Sequence, residues 1–148
     1  MFTNIRFQGF LKYKKVVSDA KIDMPVFRGD VGYDIHSIED KLIKAKSSEI
    51  VRTGLAFEVS EDYWLELRTR SGHGVKNCLQ IHMGTIDSGY REEVTIKIYN
   101  HGNQDYQIKK GDKICQLVIH PRIVLPAKEE KYLKSSDRGL KGLGSTGG

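Results

Sequence analysis

The sequence is poor in cysteine, has no long apolar run and shows weak helix signals throughout. Its 148 residues hold two cysteines, Cys78 and Cys115. Neither belongs to a CxxC pair or stands at a Cys/His ligand spacing, so a cysteine-based metal or redox motif is set aside. Two buried free thiols in a reducing compartment are expected. No apolar stretch reaches the length that spans a bilayer, so no membrane association is expected. The opening "MFTNIRFQGFLKYKK" alternates apolar and polar residues and lacks the apolar core of a signal peptide. The expected location is the cytoplasm, or the host cytoplasm if the source is viral. Five histidines are present, none at metal-ligand spacing, and Ser71 has no evident triad. These gaps set aside metalloenzyme and serine-hydrolase chemistry. There is no internal repeat, and no low-complexity linker before the C-terminal tail.

What is present is the material of one ordinary domain, with 39% hydrophobic residues to build a core. The formal charge of +5 suggests an anionic partner. The lysines, however, lie in "KYKK", "KLIKAK" and "IKKGDK", with acids between them. No stripe of aromatics and arginines marks a nucleic-acid groove. No nucleic-acid partner is expected, and a small phosphorylated ligand stays open.

Strand signals are frequent. "EIVRTGLAFEVS" is rich in Val, Ile and Phe around Gly54. "YWLELRTR" alternates Leu65 and Leu67 with Glu66, Arg68 and Arg70. "EEVTIKIYN" sets Val94, Ile96 and Ile98 against Thr95, Lys97 and Tyr99. "KICQLVIH" sets Ile114, Gln116 and Val118 against Cys115, Leu117 and Ile119. Period-two patterns between Gly, Asn and Asp turns predict β-strands. "NHGNQD" and "KKGD" carry turn chemistry. The pattern predicts an all-β domain, a sandwich or barrel. At most one short helix is expected, at "SGHGVKN".

Five segments depart from plain scaffold. In "GDVGYDIHS", Asp34 can reach a metal-bound water, or be a turn aspartate bonded to its own backbone. In "RTRSGHGVKN", a strand delivers Arg70, Ser71 and Gly72 into a tight turn. There, backbone N–H groups, a hydroxyl and a guanidinium suit an anion, although Arg-Ser-Gly is also common in ordinary turns. In "GTIDSGYREE", Gly84 and Gly89 bracket Asp87 at what reads as the tip of a hairpin. Asp87 can deprotonate a water and Tyr90 can pack on a ring; a capping Asp and a packed Tyr fit the pattern equally well. In "KKGDKICQLVI", Gln116 is polar within an apolar strand, so it bonds backbone or faces a site. The fifth is the tail "RGLKGLGSTGG", with five glycines among eleven residues: a frayed end or a phosphate cradle.

Together these segments resemble the five ordered motifs of the homotrimeric dUTPase family. "VGYDIHS", "RSGHGVK", "GTIDSGYREE", "GDKICQLV" and "RGLKGLGSTG" match in order and spacing, from about Pro25 to Gly147. The resemblance implies a jelly-roll-like β-fold over residues 1–137. It implies a glycine-rich arm over 138–148 that closes over a neighbouring subunit's site, in a trimer with shared sites. The implied reaction is dUTP and water giving dUMP and pyrophosphate, with Mg²⁺. Asp87 would activate the water for attack at the α-phosphate. Tyr90 would pack under the deoxyribose and exclude a 2′-hydroxyl. Backbone groups of Gly84, Thr85, Ile86 and Thr95 would read the uracil edge. Arg70, Ser71 and Gly72 would hold phosphates, with Gln116 supporting the phosphate and water network. Arg138, Gly144, Ser145 and Thr146 would close over the phosphates. Asp34 would touch waters on a Mg²⁺ held by the triphosphate, with no direct protein ligand.

Three positions depart from the family pattern. Leu143 stands where a phenylalanine usually stacks on uracil; it can cover the base but not stack on it, and a higher KM is expected. Glu92 replaces a usual glycine, which raises the question of a positive φ there. Thr69 replaces a usual proline, with little effect expected. One alternative is a dCTP deaminase on the same fold. That relative needs a glutamate base on the strand after the third motif, where this chain has Lys97. The other is a non-catalytic nucleotide-binding regulator, supported by Leu143 and Glu92 alone.

Overall fold

The computed structural model describes residues 8–137 and 139. Arg138, Leu143, Gly144, Ser145 and Thr146, expected to close over the nucleotide, lie outside the described residues. Twelve strands and one helix follow one another in these residues. They are β1 (Leu11–Lys15), β2 (Ile22–Asp23), β3 (Gly32–His36), β4 (Lys41–Ile43), β5 (Ser48–Arg52), β6 (Leu55–Val59) and β7 (Tyr63–Arg68). The helix α1 (Ser71–Asn77) comes next. It precedes β8 (Leu79–Ile81), β9 (Thr85–Ile86), β10 (Thr95–Asn100), β11 (Tyr106–Ile108) and β12 (Lys113–Pro121). The short helix at "SGHGVKN" is the one that the sequence allowed.

Every pairing is antiparallel. The largest sheet has the order β2-β3-β12-β7-β9, and the next β5-β10-β8. Two ribbons, β1-β6 and β11-β4, complete the set. The sheets fit a jelly-roll-like sandwich. The described strands do not close into a barrel: the large sheet ends on β2 and β9, which do not pair with one another.

One apolar core joins all the sheets. Ile35, Val51, Leu55, Leu65, Ile81, Ile96, Ile98, Ile108 and Leu117 are essentially without solvent exposure. Each such side chain stabilises the fold by about 1.5–3 kcal/mol relative to an exposed position. The alternation of β10 is as expected: Ile96 and Ile98 are buried, Thr95 and Lys97 exposed. In β12 the alternation breaks at its start. The register against β3 slips between Lys113 and Cys115, so Ile114 and Cys115 are both buried rather than opposed.

The buried side chains of Thr53 and Asn100 are satisfied, whereas the buried His73 Nδ1 has no partner among the described residues. Thr53 Oγ1 donates to the Val94 carbonyl (2.5 Å) and accepts from the Leu55 amide (3.1 Å). Asn100 Nδ2 donates to the carbonyls of Ile43 and Gln104 (3.0 and 2.8 Å), and its Oδ1 accepts from the Gly102 amide. Gly54 turns β5 into β6 at φ +65°, where a Cβ would lie 2.6 Å from Val17.

Cys115 is buried, as expected, and burial pushes its thiol up well above the ordinary range. Cys78 corrects the expectation of two buried thiols. It caps α1 in the left-handed region (φ 54°), its amide bonded to the His73 carbonyl, and it is exposed.

Candidate active site

Two clefts open on the large sheet, one at β7 and β9 and the other at β3 and β12. The first, of about 220 Å³, is lined by Leu67, Gly84, Thr85, Ile86, Asp87, Tyr90, Val94 and Thr95. The second, of about 370 Å³, opens beside Gly32, Asp34 and Gln116 under the loop from Met24 to Val31. Leu67 lines the first, and Arg70, three residues further along the chain, reaches Asp34 in the second.

The first cleft is built on an excursion between β8 and β10. Their ladder extends to His82, whose amide bonds the Lys97 carbonyl (2.8 Å). The chain then leaves this sheet and pairs β9 with β7 in the other, Thr85 against Glu66 and Ile86 against Leu65. So "DSGY" is a turn on a bridging loop and not the tip of a paired hairpin. Its turn is closed by the Tyr90 amide on the Asp87 carbonyl (3.0 Å). The loop's far end is fastened by Glu93. Arg52 grips that carboxylate with two nitrogens (3.2 and 2.7 Å), and the Gly54 amide adds a third bond (2.9 Å). The Arg52 hydrogen bond outweighs desolvation and holds the Glu93 carboxyl below its ordinary range. Glu92 is exposed and is not among the described non-glycine residues with positive φ, so the missing glycine carries no backbone strain.

The Asp87 side chain is exposed and makes no hydrogen bond or ion pair among the described residues. Tyr90 is partly exposed, its hydroxyl 3.4 Å from the Glu93 carbonyl. An added Cβ at Gly89 would meet nothing within 4 Å. A free carboxylate, an accessible ring and open backbone therefore share one cleft.

The second cleft is the reverse. Asp34 lies within β3, not in a turn, and both its oxygens are taken. Arg70 Nε donates to Oδ1 (2.9 Å) and Lys113 Nζ to Oδ2 (3.0 Å). Burial raises its pKa, but these two cations outweigh that and hold the carboxyl below its ordinary value. Arg70 sits just before α1 in extended conformation (φ −68°, ψ 139°). Among the described residues its Nε alone is engaged, so both terminal nitrogens are free for an anion. The first-turn amides of Ser71 and Gly72 have no carbonyl partner within the helix, and Gly72 faces open space. Gln116 pairs Asp34 across the sheet and packs over Gly32, where a Cβ would come within 3.0 Å of its amide carbon.

The structure adds residues that the sequence reading missed. Lys113 Nζ also bonds Asp23 (3.0 Å), and Asp23 in turn meets His36 Nε2 (2.9 Å). Thr69, at the usual proline position, accepts the Ile81 amide on Oγ1 (3.0 Å) and ties the approach to Arg70 onto β8. Lys97 is exposed, its ammonium 5.5 Å from the Tyr99 ring centre, and supplies no carboxylate base. Among the described residues no cluster of three His, Cys, Asp or Glu side chains is placed to hold a metal.

Fold and clefts together define a jelly-roll-like β protein with a corner of unpartnered donors beside an open cleft. The family model for dUTPase matches residues 18–147. The deoxyuridine 5′-triphosphate nucleotidohydrolase of Clostridium acetobutylicum is 42% identical over 93% of this chain and 96% of its own. That of Nautilia profundicola is 40% identical, over 93% and 98%. Among solved structures, the Staphylococcus bacteriophage 80alpha dUTPase with dUpNHpp superposes with TM-score 0.86 and 29% identity, covering 93% of this chain and 98% of that one. A dUTPase mutant from phage phi11 of S. aureus, with a structural Mg(II) ion, gives TM-score 0.79 and 27% identity, over 85% and 99%. The chain belongs to the dUTPase family.

Proposed function

We propose that the protein is a dUTP diphosphatase, hydrolysing dUTP to dUMP and pyrophosphate with Mg²⁺. One observation carries the assignment of the chemistry. Of the three carboxylates lining the clefts, Asp34 holds Arg70 and Lys113, Asp30 accepts from the Phe27 amide, and Asp87 is the one without a side-chain partner among the described residues. A general base needs a free lone pair within reach of water, and Asp87 has it. It takes the proton from a water attacking the α-phosphate.

The other roles follow from chemistry at each position. Backbone groups of Gly84, Thr85, Ile86 and Thr95 read the uracil edge. Tyr90 lies under the deoxyribose and excludes a 2′-hydroxyl. Arg70, Ser71 and Gly72 hold phosphates with donors and positive charge, the main demand of phosphoryl chemistry. Gln116 supports the phosphate and water network. Bound Mg²⁺ neutralises triphosphate charge. The donor set here suits an ion carried by the nucleotide: Asp34 is committed to two cations but keeps lone pairs for the hydrogens of metal-bound water. The active unit is a homotrimer, built from a core over 1–137 and an arm over 138–148 that reaches a neighbour's site. In that arm Arg138, Gly144, Ser145 and Thr146 close over phosphates and Leu143 covers the base.

A pyrophosphate-release assay with Mg²⁺ against dUTP, dTTP, dCTP and UTP tests this reading. Release from dUTP alone is expected. Ammonia from dCTP would replace it with a deaminase, and inertness toward all four with a binding protein. Asp87→Asn should lose turnover and still bind nucleotide.

A further inference from the structure

The β2–β3 register sets Asp23 directly opposite Asp34. Like charges placed so destabilise a sheet, and here the pair lies beside the proposed phosphate corner. Lys113 resolves the conflict. From β12, the strand on the other side of β3, its ammonium stands 3.0 Å from Asp23 Oδ2 and 3.0 Å from Asp34 Oδ2. Its carbonyl accepts from His73 Nε2 of α1 (2.6 Å). One residue thus joins β2, β3, β12 and the helix that follows Arg70.

The charges around it alternate. Arg70 meets Asp34, Lys113 lies between Asp34 and Asp23, and Asp23 meets Lys21 Nζ (3.3 Å) and His36 Nε2 (2.9 Å). His36 is anchored at its other nitrogen by the Gly111 carbonyl (2.7 Å). With Lys113 on Oδ2, Asp34 offers Oδ1 to Arg70 Nε. That sideways grip leaves the terminal guanidinium nitrogens without a partner among the described residues. Without the lysine, Arg70 is the one cation left on Asp34, and its fork can close over both oxygens in the favoured bidentate geometry. Those nitrogens would then be lost to an anion.

We infer that Lys113 is a positioning residue: by bridging Asp23 and Asp34 it holds Arg70 in the side-on pose that frees its terminal nitrogens for substrate phosphate. This rests on the function proposed above, and the test separates the two.

The test is a double-mutant cycle of Lys113→Met and Asp23→Asn, with Lys113→Arg as the conservative control. It is read as KM and kcat for dUTP and as the midpoint of thermal unfolding. Lys113→Met should raise KM about tenfold, the scale of one charge-assisted bond, and move kcat by less than about threefold. Lys113→Arg should stay within about threefold in KM, because a second cation can bridge the same pair. Asp23→Asn, which removes the opposing charge, should recover most of the loss in the Lys113→Met background and shift KM only about twofold alone. If Asp23→Asn lowers KM equally in both backgrounds, Lys113 acts as a distant charge and the inference falls. It falls also if Lys113→Met lowers kcat with KM unchanged. A wild-type protein that hydrolyses no dUTP defeats the proposed function, and the bridge is then judged on melting midpoints. Non-additive midpoints uphold it and additive ones overturn it.

Discussion

Asp34 and Asp87 are two carboxylates of one candidate site with opposite settings. Asp34 stands on a central strand, flanked on both sides by paired strands, and each of its oxygens holds a cation. Asp87 stands on a loop that bridges two sheets, exposed, with no side-chain partner among the described residues. The difference separates two kinds of work. A carboxylate that organises cations must be ionised and fixed. A carboxylate that takes a proton from water must be ionised and free. The sheet supplies the first condition and the loop the second.

The comparison can be broken from the sheet side by removing Arg70. Arg70→Ala should raise KM for dUTP by about 10- to 100-fold, the scale of charge-assisted bonds to phosphate. Arg70→Lys should recover part of this, since it restores charge but not the forked geometry. A KM unchanged in steady-state kinetics would remove Arg70 from the phosphate site.

Acid should act next, and on the paired groups. Asp23, Asp34, Glu66 and Glu93 are all held below their ordinary range in the fold. For Asp23 the His36 hydrogen bond is the largest cause, and for Glu66 the Arg68 hydrogen bond. A group with a depressed folded pKa adds stability that is complete above its unfolded value and lost as pH falls toward the folded one. The melting midpoint should therefore hold above about pH 5 and fall steadily below about pH 4. These groups are partly exposed, so each contribution is modest. A midpoint flat from pH 6 to pH 3 would contradict the paired arrangement.

The smallest expected effect lies in the arm. Leu143→Phe, outside the described residues, should lower KM about two- to fivefold, the gain from aromatic contact with the base. Unchanged KM and kcat would show that the leucine covers the base as well as a ring does.

Much of this arrangement was legible in the sequence. Alternation in "YWLELR" and "EEVTIKIYN" marked β7 and β10, and "SGHGVKN", after the strand ending near Arg70, was the one place left for the short helix α1. The clustering of Asp34, Arg70 and Gln116 agreed with the ordered motifs, and the structure brings these three together. Other features needed register, which a single strand's pattern does not contain. Nothing local to "KIDMP" or "GDKIC" says that Asp23 faces Asp34, or that Lys113 lies within reach of both. The bulge that buries both Ile114 and Cys115 is likewise set by the partner strand. Asp34 could be read as a turn residue because glycines and acids surround it, but β12 and β2 on either side make it a strand residue. Cys78 was misjudged since cysteines are commonly buried, while this one terminates a helix in the left-handed region.

The division of labour between the two carboxylates is tested most directly by comparing Asp34→Asn with Asp87→Asn in hydrolysis of dUTP at saturating nucleotide and Mg²⁺. Asp87→Asn should lower kcat by about 10²- to 10⁴-fold with KM little changed, the mark of a lost general base. Asp34→Asn should act mainly on KM, because it loosens Arg70, and should keep kcat within about tenfold of wild type. A larger loss of kcat in Asp34→Asn than in Asp87→Asn would contradict the account, and would assign the proton transfer to the carboxylate that the structure shows already committed to Arg70 and Lys113.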